Sequence, residues 1–124
     1  MPGKFRKIQA IFWAVTVHLA KGKNKFDKEA IEVKYTRLDT DDFDDFRTRN
    51  ATNEEMSTEE TANIGLAIVE EIKSYIVDWK IDDEDGKPME CTPENIEMVF
   101  GHPDYANAIV KGFWAMQVGG AAKN

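Results

Sequence analysis

The strongest constraint on the fold lies between Ile8 and Thr36, where two stretches of alternating side chains flank a turn-forming segment. From Ile8 to Leu19 the chain is dominated by Ile, Val, Phe and Trp, the residues that suit a pleated, half-buried strand. Phe12, Ala14, Thr16 and His18 fall on one face, and Ile11, Trp13, Val15, Val17 and Leu19 on the other. The second set is the more apolar and is expected to face the core. Lys21-Gly22-Lys23-Asn24-Lys25 reads as a turn, because Gly and Asn accept positive φ. Beyond it Ile31, Val33 and Tyr35 alternate with Glu32, Lys34 and Thr36, a clean period of two. Residues 8–36 therefore predict a β-hairpin.

The pattern then changes to helical spacing. Asp39 or Thr40 can cap a short helix over residues 40–49, whose first turns carry Asp41, Asp42, Asp44 and Asp45. Phe43 and Phe46, three apart, share one face of it. A polar loop follows from Asn50 to Met56. Ser57-Thr58-Glu59-Glu60 has the form of a capping box and predicts a helix over residues 58–79. Its apolar stripe is Ile64, Ile68, Ile72, Ile76 and Trp79, broadened by Leu66, Val69 and Tyr75. After the charged turn Asp82 to Pro88, Thr92-Pro93-Glu94 marks a helix start, proline standing at the first helical position. That helix is expected over 93–100 with Gly101 as its stop, and His102-Pro103-Asp104 opens a last helix over 103–118. Residues 119–124, Gly-Gly-Ala-Ala-Lys-Asn, read as a flexible tail. A hairpin followed by three or four helices is an α+β domain with segregated elements, and 124 residues suit one domain over 1–118.

Composition narrows the function. One cysteine excludes an internal disulfide, and no apolar run approaches the roughly 20 residues of a membrane span. Lys4, Arg6 and Lys7 would suit the start of a signal peptide, but the strand-like segment after them ends without a clear cleavage site, which points to the cytosol. Residues 1–38 hold nine basic and three acidic side chains, net +6, whereas residues 39–60 carry −7 and residues 61–124 carry −6. An overall charge of −7 disfavours nucleic acid as a partner.

Motifs of catalysis and metal binding are sparse. Cys91, His18 and His102 offer no close pair of zinc ligands. A calcium loop with its glycine at Gly86 would need acids where Ile81 and Thr92 stand. Cys91 precedes a helix start, where the dipole can lower a thiol pKa, yet no local motif brings a histidine to it. Ser57 and Ser74 lack a nucleophile-elbow sequence, and there is no glycine-rich phosphate loop. No cofactor is called for, and a binding module is the expectation rather than an enzyme. The last helix carries Tyr105, Ile109, Phe113 and Met116 on one face, with Ala106, Val110 and Trp114 beside it. Such a stripe belongs either to the core or to a partner surface.

One stretch points further. Val77-Asp78-Trp79-Lys80-Ile81-Asp82-Asp83-Glu84-Asp85-Gly86-Lys87-Pro88-Met89 leads into Thr92-Pro93-Glu94-Asn95-Ile96. His102-Pro103 and a helix ending in Gly119-Gly120-Ala121-Ala122-Lys123-Asn124 complete the order. This order resembles the tail assembly chaperones of long-tailed bacteriophages of the siphovirus type. They tend to carry a tryptophan, a charged Asp-Gly-x-Pro turn, a Thr/Ser-Pro-Glu-Asn helix start, a proline-started last helix and a small-residue tail near Lys-Asn. Residues 77–124 carry most of the match, and the hairpin and the Arg37-to-Asp45 segment fit more loosely.

The resemblance implies a protein that binds the long, helical tape measure protein in the host bacterial cytoplasm and keeps it soluble until the tail tube polymerises. It implies absence from the mature virion. It also implies a longer form, made by ribosomal frameshifting, whose added segment recruits tail tube protein. Self-association along an extended partner suits such a task. The expected partner-binding residues are Ile109, Phe113, Trp114 and Met116. The alternatives are another tail structural or completion protein, which would remain in the particle, and an acidic inhibitor that mimics DNA. The basic N-terminal third speaks against the latter.

Overall fold

The computed structural model describes residues 9–22, 25–49 and 68–122, besides Gly3. Strand β1, Ala10–Gly22, pairs antiparallel with β2, Lys25–Thr36, in unbroken register from Ala10 opposite Thr36 to Ala20 opposite Phe26. The turn residues Lys23 and Asn24 lie outside the described residues. Val15, Val17, Ile31, Val33 and Tyr35 are buried, while Ala14, Thr16 and His18 are exposed. The faces are those the alternation predicts.

Helix α1, Thr40–Arg49, follows directly. The Asp39 carboxylate accepts the Asp42 N–H at 2.8 Å and the Asp39 carbonyl accepts that of Phe43, so Asp39 caps the helix. Phe46 is fully buried and Phe43 half-buried, the inner face of a helix whose other side is charged.

The expected helix over 58–79 needs correction. Its capping box and Ile64 lie outside the described residues, as do Leu66 and the loop expected over 50–56. Residues 68–74 are helical and form α2. The helix stops there, Tyr75 turns, and Ile76–Lys80 forms strand β3 antiparallel to β2. The cause is a bulge. Val33 faces Trp79 and Lys34 faces Asp78, but Tyr35 faces Ile76, so Val77 has no opposite number. Val77 is 52% exposed, whereas Ile76 and Trp79 are both buried. A regular strand would send positions 76 and 79 to opposite faces. The extra residue puts both on the core side and so reproduces the three-residue spacing of a helix. The backbone ladder with β2 then decides, with the Thr36 N–H donating to the Tyr75 carbonyl at 2.7 Å.

The sheet is three-stranded and antiparallel in the order β1-β2-β3, which makes the domain α+β. Helix α3, Pro93–Phe100, is capped by Thr92, whose hydroxyl accepts the Asn95 N–H at 3.1 Å. Helix α4 runs Pro103–Ala122, longer than expected, so residues 119–122 continue the helix rather than forming a tail. Nothing after Val118 forces a stop. Neither proline nor a left-handed glycine interrupts the run, and Ala121 and Ala122 favour helix. Lys123 and Asn124 lie outside the described residues.

Helix α4 lies on the core face of the sheet. Gly112 is seated against Val15 and the Tyr35 hydroxyl, with no room for a side chain. The Tyr35 hydroxyl donates to the Ile109 carbonyl at 2.7 Å inside the core. At the other end Gln117, 5% exposed, is fully engaged. Its amide donates to the Thr36 carbonyl at 2.9 Å and its side-chain oxygen accepts the Leu38 N–H at 3.2 Å. Arg37 donates to the Met116 carbonyl at 2.9 Å, so the β2–α1 connection is fastened to α4. Arg49 grips Glu71 through two bonds of 2.7 and 2.9 Å, tying α1 to α2. Lys73 reaches Glu97 at 3.1 Å and ties α2 to α3.

Candidate functional site

The residues expected to bind a partner are placed differently from that expectation. Ile109, Phe113 and Met116 are all at 0% exposure, inside the chain's own core, and Trp114 is half-buried. Phe113 stands at the centre of an aromatic cluster. Its ring stacks on Tyr75 at 5.5 Å, meets Phe46 edge-on at 5.4 Å and Tyr35 at 5.7 Å. Trp114 packs on Phe46 at 5.0 Å and on Phe43 at 5.7 Å. These contacts consume the stripe. Each buried aromatic contributes on the order of 3–5 kcal/mol against truncation to alanine, so in the single chain Ile109, Phe113 and Met116 are engaged in its own core and only part of Trp114 is open to solvent. The helical period showed that these residues share a face. It could not show that the hairpin and α1 cover that face.

The stretch that follows β3 builds an open surface instead. Asp83 organises the charged turn. Its carboxylate accepts the Asp85 and Lys87 N–H groups at 2.9 and 3.0 Å, and its carbonyl accepts that of Gly86 at 3.0 Å. Gly86 has φ 80°, a conformation that favours glycine. Met89 donates its N–H to the Ile81 carbonyl at 2.8 Å, and the Trp79 indole donates to the Met89 carbonyl at 2.8 Å. The turn is thus a fixed lobe held against the core by Trp79. Between this lobe, α3 and the start of α4 lies a groove of about 470 Å³. Ile81, Met89, Met98, Val99 and Tyr105 form its apolar part, and Asp82 to Asp85 form an acidic lip. Met98 is 51% exposed, while Val99 beneath it is buried. An unbranched, polarizable thioether at such a place can adapt to varied apolar side chains.

The chemistry-bearing residues take structural positions. Cys91 is half-buried, and burial first, then the Asp78 carboxylate, pushes its thiol pKa up rather than down. That is the opposite of what an activated thiolate needs. The His102 carbonyl accepts the Tyr105 and Ala106 N–H groups at 3.1 and 3.0 Å and so opens α4, and His102 is among the residues that line the groove. His18 is exposed on β1. Among the described residues no three of His, Cys, Asp and Glu are grouped to hold a metal ion, and no helix is long and apolar enough to cross a membrane.

The groove residues were visible in sequence only as a turn and two helix starts. Their one distinguishing signal was a methionine, Met98, on a helix so short that its core needs few apolar positions. Set beside models of protein families, curated proteins and solved structures, the chain matches none of them.

Proposed function

We propose that this chain is a tail assembly chaperone of a long-tailed bacteriophage. It holds apolar helical segments of the tape measure protein in the host cytoplasm until tube subunits displace it. The observation that carries the reading is the order of motifs over residues 77–124: the tryptophan, the Asp-Gly-x-Pro turn, the Thr-Pro-Glu-Asn start and the His-Pro start. Their arrangement supports it. The Trp79 indole bonds Met89 across the turn, Thr92 caps α3, and these parts frame the open, methionine-bearing groove.

The groove, rather than the buried stripe of α4, is the partner surface in this proposal. An apolar floor beside an acidic lip suits an amphipathic helix whose apolar ridge is flanked by Lys or Arg. Binding by many copies along one extended partner needs only moderate affinity per copy, which leaves each copy displaceable. A longer frameshifted form that recruits tail tube protein belongs to the same proposal.

The test is co-expression with the tape measure protein of the same phage. Wild-type chain should keep that protein soluble and co-purify with it, and Met98→Asp should lose both effects while retaining its circular dichroism. If the tape measure protein is no more soluble with the wild-type chain than without it, the chaperone reading fails. If Met98→Asp works as well as wild type, the groove is the wrong surface.

A further inference from the structure

We propose that the outer edge of β1 receives an acidic, extended segment of a partner protein, which pairs antiparallel with β1 and lies in the groove between that strand and α4. Strand β1 lies at one edge of the sheet and has no described strand on its other side. The direction of its backbone groups follows from two bonds. The Gln9 carbonyl accepts the Arg37 N–H at 2.8 Å, so odd-numbered positions turn toward β2. The Ala20 N–H donates away from β2, to the Asp104 carboxylate at 3.2 Å. The register is unbroken from Ala10 to Ala20, and the direction alternates along a strand. Phe12, Ala14, Thr16 and His18 therefore direct their backbone groups to the outer edge. Edge strands are ordinarily blunted by charge, proline or a bulge, and this one has none of them between Ala10 and Ala20.

Strand addition needs an open row of backbone groups and a place for alternate side chains of the incoming segment. The edge supplies the row. The place is a groove of about 380 Å³ lined by β1 and α4. Residues directly opposite each other in a sheet share a face. Side chains of the segment opposite Trp13 and Val15 therefore turn to the α4 side. There Ala108 and Ala115 leave room, and Lys111 is exposed on the groove wall.

Charge selects the occupant. Asp104, the one acid of the groove, already accepts the Ala20 N–H at the turn end of the strand. Lys111 stands about 10 Å further along α4. It adjoins Gly112, which is seated on Val15, so its charge lies level with the middle of β1. Lys28, opposite His18, is exposed as well. The strand belongs to the third of the chain that carries +6, whereas the remainder is acidic and repels an acidic segment. The β1 strand of a second copy does not answer Lys111, because Ile8 to Ala20 holds no carboxylate. Nucleic acid is negative too, but lacks the repeating N–H and C=O groups that pair with a strand edge. The inference stands independently of the chaperone reading, since this groove shares no residue with the one at Met98.

The probe is a synthetic peptide of about eight residues, ordinary strand length, alternating Val with Glu. NMR titration should shift the amides of Phe12, Ala14, Thr16 and His18 with a dissociation constant of about a millimolar or below, and their hydrogen exchange should slow in the complex. The same peptide with Lys in place of Glu should not bind. Nor should one N-methylated at its valines, the residues whose N–H groups meet β1 when the glutamates face α4. Lys111→Glu, a change at an exposed position, should weaken binding about five-fold or more with unchanged circular dichroism. No shift of these amides at about millimolar peptide overturns the proposal. So does equal binding by the Lys peptide, by the N-methylated peptide or by the Lys111→Glu chain. Slow exchange of the four amides in the chain without peptide overturns it as well, because the edge is then already covered.

Discussion

Replacing Gly112 by alanine sets two effects of opposite sign against each other. In the middle of a helix alanine is better than glycine by about 1 kcal/mol, so local propensity alone predicts a more stable protein. The structure predicts the reverse. A Cβ at position 112 would lie 2.7 Å from Val15 Cγ2 and 2.8 Å from the Tyr35 hydroxyl oxygen, well inside ordinary contact. Val15 is 4% exposed and Tyr35 is fully buried, so neither has free space to enter. Tyr35 is also held by its 2.7 Å bond to the Ile109 carbonyl. Overpacking of a close-packed core costs about 1–3 kcal/mol. Breaking the tyrosine bond and leaving its hydroxyl buried costs about 1–3 kcal/mol more. Against the helix gain of about 1 kcal/mol, Gly112→Ala should destabilise the fold by about 1–5 kcal/mol. For a domain of this size that lowers the melting temperature by very roughly 4 °C per kcal/mol. Urea unfolding followed by tryptophan fluorescence and circular dichroism measures it. Tyr35→Phe removes one clashing atom and the hydroxyl that needs a partner. The penalty of Gly112→Ala should therefore shrink in that background, a coupling a double-mutant cycle reads directly. If Gly112→Ala proves as stable as wild type, or more so, α4 is not seated on the sheet as described.

Two further outcomes follow from titratable groups in the core. Burial holds the Tyr35 proton above the usual tyrosine range, from an ordinary value of 10.0. The folded chain therefore keeps that proton where the unfolded chain has lost it. Stability should be intact below about pH 10 and fall above it by up to about 1.4 kcal/mol per pH unit, and Tyr35→Phe should flatten that slope in urea titrations at alkaline pH. Cys91, its pKa raised by burial and by Asp78, should react with a thiol reagent more slowly than a free cysteine at neutral pH, and the rate should approach that of the free thiol in denaturant.

Much of the architecture is local chemistry and was legible without a structure. The hairpin follows from a period of two on both sides of a turn. Helices α1 and α3 begin where Asp39, Thr92 and Pro93 satisfy or spare backbone groups. Each of these signals acts within a few residues, so neighbouring sequence suffices to specify it. Strand β3 was not legible, because Ile76 and Trp79 carry helical spacing and only pairing with β2 reveals Val77 as the bulged residue. Nothing in the local sequence marks Gln117, and its role exists only because the β2–α1 connection passes beside it.

The same division governs the functional surface. Periodicity alone determined that Ile109, Phe113 and Met116 share one side of α4, and composition determined that the chain is acidic after its first third. Which apolar side is covered was decided by tertiary structure, where the hairpin and α1 close over that stripe and leave Met98 exposed beside Asp82 to Asp85. The physical reason is that apolar attraction has no direction of its own. A sequence marks the groups that must leave water, and only the packed chain determines which of them find partners within it.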